Sequence, residues 1–238
     1  MTELAWGQKV SAEFRDRLQQ LCSTFGWADT HASWLMACMA FESAETFSPS
    51  IRNAAGSGAT GLIQFMPSTA KGLGTTTDQL AQMSAVQQLD YVQAYFKPYA
   101  RRIRSLSDMY MAILLPGAIG VAEDSVLFST GVAYRQNAGL DVDSDGKITK
   151  AEAAEKVQIK YQKGLGATYK YVYPEQVKTV QQEAAPMAPF LLAAIPALIQ
   201  ALPDFAKIFK SPDVAERNVE AVTKAADIVM SAVGARNT

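Results

Sequence analysis

The chain has 238 residues with 22 Lys+Arg against 23 Asp+Glu, a net charge of −1 and a pI near 5.9, which excludes the global basic field of a protein that binds nucleic acid through its phosphates. Hydrophobic residues make up 49% and charged residues 19%, a globular composition that suits one large domain or one domain with an appendage and excludes a disordered chain. The single histidine, His31, excludes a two-His zinc site and confines any Ser-His or Cys-His nucleophile to that residue, so hydrolytic chemistry must rest on carboxylates.

In chain order, the N-terminal residues lack the basic and apolar regions of a secretory signal, so no Sec-type signal peptide is expected. Val10 to Phe25 is predicted as an amphipathic helix, with Ser11 as its cap and Phe14, Leu18, Leu21 and Cys22 on one face. A second helix starts at Asp29 or Thr30 and runs to Glu42. It is apolar nearly all round, so burial is expected. Within it His31 reads as a structural residue of the first turn. Cys22 and Cys38 lack a C-x-x-C spacing and fall on two consecutive helices, which leaves either one inter-helix bridge or, as preferred, two buried free thiols. A glycine-rich loop follows over 54–61, and Pro67 opens a turn or helix. Thr77 to Arg104 is predicted as helix, with Lys97, Arg101, Arg102 and Arg104 on a solvated face. Leu106 to Ile119 is another apolar segment, interrupted at Pro116-Gly117. No run of alternating strands is found, so the fold class is mainly α.

From Leu140 the composition changes. Residues 141–152 match D-x-[DN]-x-[DN]-G-x₅-E at every position. Asp141, Asp143 and Asp145 take positions 1, 3 and 5, and Gly146 makes the sharp turn. Lys147 offers its backbone carbonyl, Thr149 the ninth position and Glu152 a bidentate twelfth. Four carboxylates in twelve residues repel unless a hard cation neutralises them. An EF-hand-like loop holding a structural Ca²⁺ is therefore expected, with no organic cofactor. A helix follows to about Lys163, then a tyrosine-rich stretch (Tyr169, Tyr171, Tyr173). The domain is placed at 1–180, with a linker near 181–186.

Residues 187–238 are expected to form a C-terminal hydrophobic and helical extension. Met187 to Leu202 is almost wholly apolar with prolines at 189 and 196, and Ser211-Pro212-Asp213 starts a final helix. Length and prolines argue against spanning a bilayer, and low charge gives no pull toward anionic lipid. Packing on its own domain, docking on a partner and contact with a membrane surface stay open.

Glu42 closes a helix beside Met36, Met39, Ala40 and Phe41. A carboxyl against apolar surface loses the solvation of its charged form, and a glutamic acid still protonated near neutral pH can protonate the leaving oxygen of a glycosidic bond. The segments Phe41-Glu42-Ser43 and Gly58-Ala-Thr-Gly61-Leu62-Ile-Gln64-Phe-Met-Pro67 resemble the lytic transglycosylase family, within the soluble transglycosylase and goose-type lysozyme superfamily. The second matches G-A-x-G-L-M-Q-[IFL]-x-P with Ile63 for the usual Met. The resemblance covers roughly residues 10 to 140. It implies a lysozyme-like fold and cleavage of peptidoglycan glycan strands between N-acetylmuramic acid and N-acetylglucosamine. Glu42 would be acid and then base, Gln64 and the Gly61-Leu62 backbone would line the sugar cleft, and Ser43 would join them in binding the substrate. The family's third motif, A-Y-N-A-G, has no direct counterpart. Its role falls either to the segment at Tyr110 or to Tyr134-Arg-Gln-Asn137. A transglycosylase needs one essential carboxyl, giving a 1,6-anhydro product. A hydrolysing lysozyme would want a second, for which Glu45, expected to be exposed, and Asp108 are the nearest candidates. The layout resembles phage and prophage lysins, delivered to the periplasm in the virion or from the host cytoplasm, with tail proteins as partners of the C-terminal segment. An inactive phage structural protein that binds calcium is the reading from another class.

Overall fold

The computed structural model describes residues 2–174. The expected linker and the extension over 187–238 lie outside the described residues. The chain opens with β1 (Glu3–Leu4), followed by α1 (Ala12–Phe25) and α2 (Asp29–Glu42). Next come α3 (Pro67–Gly72), α4 (Thr77–Gln82), α5 (Ala85–Phe96) and α6 (Leu106–Leu114). β2 (Val126–Phe128), α7 (Gly131–Asn137), β3 (Ile148–Thr149), α8 (Lys150–Gly164) and β4 (Tyr171–Val172) complete the order. The fold is mainly α. Among the described residues no helix is long and apolar enough to cross a membrane.

Helix boundaries follow local chemistry. Ser11 caps α1 by accepting from the Phe14 amide at 3.1 Å. Gly26, in the left-handed conformation at φ 65°, ends it. The helix expected over 77–104 is broken in two. Ser84 and Gln87 form a reciprocal capping box that starts α5, so the chain cannot run through Met83. Beyond Phe96 it proceeds in turns, although the apolar spacing continues.

α2 is the central element. Ala32, Leu35, Met36, Ala37, Cys38, Met39 and Ala40 are fully buried, with Leu18 and Leu21 of α1, Leu89, Val92 and Phe96 of α5, Met109 and Met111 of α6, and Val157 of α8 in the same core. His31 stacks on Trp27 at 5.5 Å and touches Trp34 at 4.7 Å, and desolvation lowers its pKa. Both cysteines are free and buried, and burial raises the Cys22 thiol to about 12.

Two small antiparallel pairings, which no spacing in the sequence announced, close the unit. β1 pairs with β4 and β2 with β3. The first brings the chain start to the end of α8, where the Trp6 ring occupies the place a Cβ would take at Gly164 and its Nε1 donates to the Lys160 carbonyl at 2.9 Å. The second gives fully buried Ile148 a strand partner in Phe128. A buried ion pair joins α6 to α8. The Lys150 ammonium lies 2.7 Å from Asp108 Oδ1 and donates to the Val121 carbonyl, while Asp108 also accepts from the amides of Arg104 and Gly120.

Candidate active site

Glu42 is the last residue of α2. Its side chain keeps part of its surface open, yet desolvation pushes the carboxyl from 4.5 to about 8. At neutral pH it therefore holds its proton. Once ionised, its charge acts on three sides. Burial first and then Glu42 raise Tyr110 on α6 well above its ordinary value. Tyr95 on α5 is raised to about 12, by burial, then Tyr99, then Glu42. Cys38, one turn back on α2, is raised by burial and then by Glu42. Tyr95 donates to the Ala112 carbonyl at 2.7 Å, and Tyr110 packs edge-on against Phe41 at 5.6 Å. Both phenols stay protonated beside the acid.

The chain reverses directly after Glu42. Ala44, Glu45 and Phe47 have φ of 51°, 65° and 52°, left-handed values that cost a non-glycine residue about 1–2 kcal/mol each. Ser43 holds the reversal. Its hydroxyl donates to the Met39 carbonyl at 2.6 Å and accepts from the Phe47 amide at 3.0 Å. With its side chain fully buried and its hydroxyl engaged on both sides, Ser43 is a structural residue. The expectation that it touches the sugar is corrected. Glu45 is also not the exposed carboxylate expected. It pairs with Lys160 and, at 2.6 Å, with Lys163, both on α8.

The second motif folds as a tight hairpin. Thr60 and Phe65 exchange backbone bonds of 3.1 and 2.9 Å, and Gln64, at φ 50°, returns its amide to the Gly61 carbonyl. Gln64 is half-buried, and its Nε2 donates to the carbonyls of Gly61 and Ile51. The side-chain oxygen is then the atom with bonding capacity left. Leu62 is fully buried and its amide donates to Gln88 Oε1 at 2.7 Å, so its direct contact with sugar is corrected to a supporting role. Gly61 is required because a Cβ there would collide with the Gln88 carboxamide. Gln88, itself fully buried, donates onward to Pro49 and Leu80 and pins the motif from below.

Two surface depressions, of about 370 and 360 Å³, involve Thr75, Gln79 and Tyr91, and Glu123, Glu152 and Gln158; Glu42 and Gln64 line neither. Of the two segments considered for the third motif, α6 brings Tyr110 to Glu42. Tyr134 instead donates to Asp141 at 2.7 Å, and Asn137 to the Ala133 carbonyl of its own helix. Those two belong to the acidic loop.

In that loop one carboxylate oxygen each of Asp141, Asp143 and Asp145 lies within 4.8 Å of the others. Gly146 at φ 83° and Ser144 at φ 61° make the turn. Asp141 Oδ1 is buried and accepts no hydrogen bond. Three converging carboxylates with an orphaned oxygen are a donor set for a hard cation. Lys147 is exposed, its ammonium 3.7 Å from Asp145, and its side chain leaves the backbone carbonyl for the seventh position. Glu152 lies apart from the cluster. One oxygen accepts from the Val142 amide and the other from the amide and hydroxyl of Thr149, in the capping box that starts α8.

Residues 28–107 match the family model described as Transglycosylase SLT domain. Over this stretch the chain carries a lytic transglycosylase domain. No curated protein and no solved structure matches it. The matched span runs from the start of α2 into α6 and includes Glu42, the motif hairpin, Gln88 and Tyr95. A lytic transglycosylase is an enzyme that acts on the glycosidic bonds of peptidoglycan, and its mainly α architecture here is that of a lysozyme-like domain. Tyr110 and the loop over 141–152 fall beyond the match.

Sequence reasoning missed two residues packed around Glu42 and the motif hairpin. Gln88 occupies an apolar slot of α5 beside Leu89, Val92 and Phe96. A polar residue in a buried stripe was the available signal. Tyr95 sits among core aromatics of the same helix, with nothing local to mark it.

Proposed function

We propose that Glu42 cleaves the β-1,4 bond between N-acetylmuramic acid and N-acetylglucosamine without water, as acid and then base. The observation that carries this reading is a carboxyl kept neutral to about pH 8 by desolvation while both alternative carboxylates are committed elsewhere, Glu45 to two lysines and Asp108 to Lys150. Glu42 gives its proton to the glycosidic oxygen as the bond to the muramyl anomeric carbon breaks. The carboxylate then takes the proton of the same muramyl residue's 6-hydroxyl, whose oxygen bonds to the anomeric carbon. The products are a 1,6-anhydromuramyl end and a free 4-hydroxyl, with Glu42 protonated again. The burial that makes Glu42 an acid makes its anion a strong base. Hydrolysis with a second carboxylate would need one free to activate water or to attack.

Gln64, through its side-chain oxygen, and Tyr110, beside the acid, are proposed to orient the sugar. Asp141, Asp143 and Asp145, with the Lys147 carbonyl, are proposed to hold a structural Ca²⁺, with Thr149 and Glu152 closing the loop onto α8. The bound ion neutralises the clustered carboxylates and takes no part in the proton transfers. The setting proposed is a phage- or prophage-borne lysin acting in the periplasm, because motif order followed by a calcium loop resembles that group.

The test is Glu42→Gln on purified cell walls with mass spectrometry of the products. Loss of general acid catalysis lowers turnover about 10²- to 10⁴-fold, and the wild-type products carry anhydro ends. Retained activity removes Glu42 from the mechanism, and reducing ends replace the transglycosylase reading with hydrolysis.

A further inference from the structure

The reversal after α2 is held by local bonds and by one long-range polar tie. Locally, the Glu45 amide donates to the Ala40 carbonyl at 2.7 Å, Thr46 Oγ1 to the Ser43 carbonyl at 2.6 Å, and Ser43 bridges Met39 and Phe47. The long-range tie is Glu45, whose two oxygens reach Lys160 and Lys163 across more than a hundred residues of sequence. The Lys163 side chain is 42% exposed, and the Lys160 arm of the tie is the more enclosed. The side chains of Glu45 and Lys160 are 21% and 28% exposed. Lys163 lies 5.5 Å from the Trp6 ring and 5.3 Å from that of Tyr169, and Trp6 is anchored on the Lys160 carbonyl. A carboxylate three residues past a catalytic one, in a backbone conformation its residue type disfavours, is thus gripped at both oxygens by a separate helix.

We propose that Glu45 is a positioning residue for Glu42: by clamping the left-handed reversal to Lys160 and Lys163 of α8, it fixes the last turn of α2 and with it the catalytic carboxyl. The inference rests on the reading of Glu42 as the acid. Releasing the clamp frees Ala44 and Glu45 to relax out of the left-handed region, which lets the last turn of α2 fray and admits water to Glu42. Its pKa then falls from about 8 toward that of an ordinary glutamic acid. The other groups facing Glu42, namely Cys38, Tyr95 and Tyr110, are all neutral below pH 8, so they leave the Glu42 titration to report the change.

The experiment compares wild type, Glu45→Ala, Glu45→Gln and the charge-reversed triple variant Glu45→Lys with Lys160→Glu and Lys163→Glu. Glu42 is titrated directly by carboxyl carbon NMR, assigned by its loss in Glu42→Gln. Turnover of soluble glycan fragments is followed against pH. In Glu45→Ala the Glu42 midpoint and the alkaline limb of activity are expected to move down together by about one pH unit or more. Turnover is expected to fall about tenfold to a hundredfold, as for a misplaced catalytic group, with KM little changed. The charge-reversed triple variant is expected to recover most of both changes. A Glu42 midpoint that stays at its wild-type value in Glu45→Ala overturns the proposal, whatever happens to melting temperature. If Glu45→Ala does not fold, Glu45→Gln, which keeps shape and loses charge, decides by the same midpoint. If the wild type cleaves no glycan, the functional reading fails, while the NMR titration still decides the clamp.

Discussion

At the residue scale the proposed chemistry turns on one proton. Glu42 has its folded pKa raised from 4.5 to about 8. Below about pH 4.5 the carboxyl is protonated in folded and unfolded chains alike, and its contribution to stability is whole. As pH rises toward 8 the unfolded chain releases the proton and the folded chain keeps it, so stability falls across that window and levels off above it. A tenfold change in proton affinity is worth about 1.4 kcal/mol, so keeping an acid here costs the fold on the order of a few kcal/mol at neutral pH. Glu42→Gln is therefore expected to be more stable than wild type at pH 7.5 and little different at pH 4.5, as read by urea midpoints at the two pH values. An equal gap at both would show that the carboxyl titrates normally. Glu42 was legible in the sequence, because a glutamate ending an all-apolar helix and followed by serine sits in a recognisable motif. The groups that feel its charge were not: Tyr95 and Tyr110 lie 53 and 68 residues downstream and come near it only through the packing of α5 and α6 on α2.

At the element scale α8 carries more than its sequence suggests. It opens at the acidic loop with a Thr149–Glu152 capping box, sends Lys150 into the core to Asp108, and presents Lys160 and Lys163 to Glu45. Lys150 is 3% exposed at its side chain and Asp108 5%. Burial alone would raise the aspartic acid, and the bonds from Lys150, Gly120 and Arg104 outweigh it and hold its pKa below the ordinary value. Removing one member of such a pair leaves the other charge buried and unpaired. Lys150→Met is expected to cost about 3–5 kcal/mol, measured by urea unfolding at pH 7. Adding Asp108→Leu would recover only part of that, since the amides of Arg104 and Gly120 would lose their acceptor. A cost below about 1 kcal/mol for Lys150→Met would mean the pair is hydrated. Periodicity alone reads Lys150 as one more solvated lysine on a helix with Glu152, Glu155 and Lys156, because nothing local reports an aspartate 42 residues away. The break at Met83 is the converse case. Apolar spacing predicted one helix over 77–104, and the Ser84–Gln87 capping box, readable in the sequence, ended it.

At the scale of the whole unit, the acidic loop is a staple on the catalytic domain. Ile148 pairs with Phe128, Tyr134 reaches Asp141, and Glu152 caps α8, so the loop is tied on both sides without a second copy of itself. A cation that binds only the folded loop stabilises by mass action, about 2.7 kcal/mol at a hundredfold excess over Kd, or roughly 5–10 °C in melting temperature for a chain of this size. Melting in Ca²⁺ is expected to exceed melting in EDTA by about that much, and Asp143→Asn is expected to remove most of the difference. The aspartate is the better probe, since Glu152→Ala would also uncap α8 and lower stability in EDTA. Equal melting temperatures in Ca²⁺ and EDTA would show that the loop binds no calcium.

The amino-acid order by itself determined the helical class, the ends of α1 and α2 at Phe25 and Glu42, the place of Glu42 and of the glycine-rich motif in the chain, and the acidic spacing of the loop. Each of these is written in short-range spacing, where caps, apolar periodicity and signature residues act within a dozen positions. Only the tertiary structure decided that Ser43 and Leu62 support the site from below, that Gln88 pins the hairpin, that Tyr110 and not Tyr134 stands beside the acid, and that Glu45 and Asp108 are spent in ion pairs. Those outcomes depend on which distant side chains share one buried volume, and desolvation and pairing energies exist only once the core has closed.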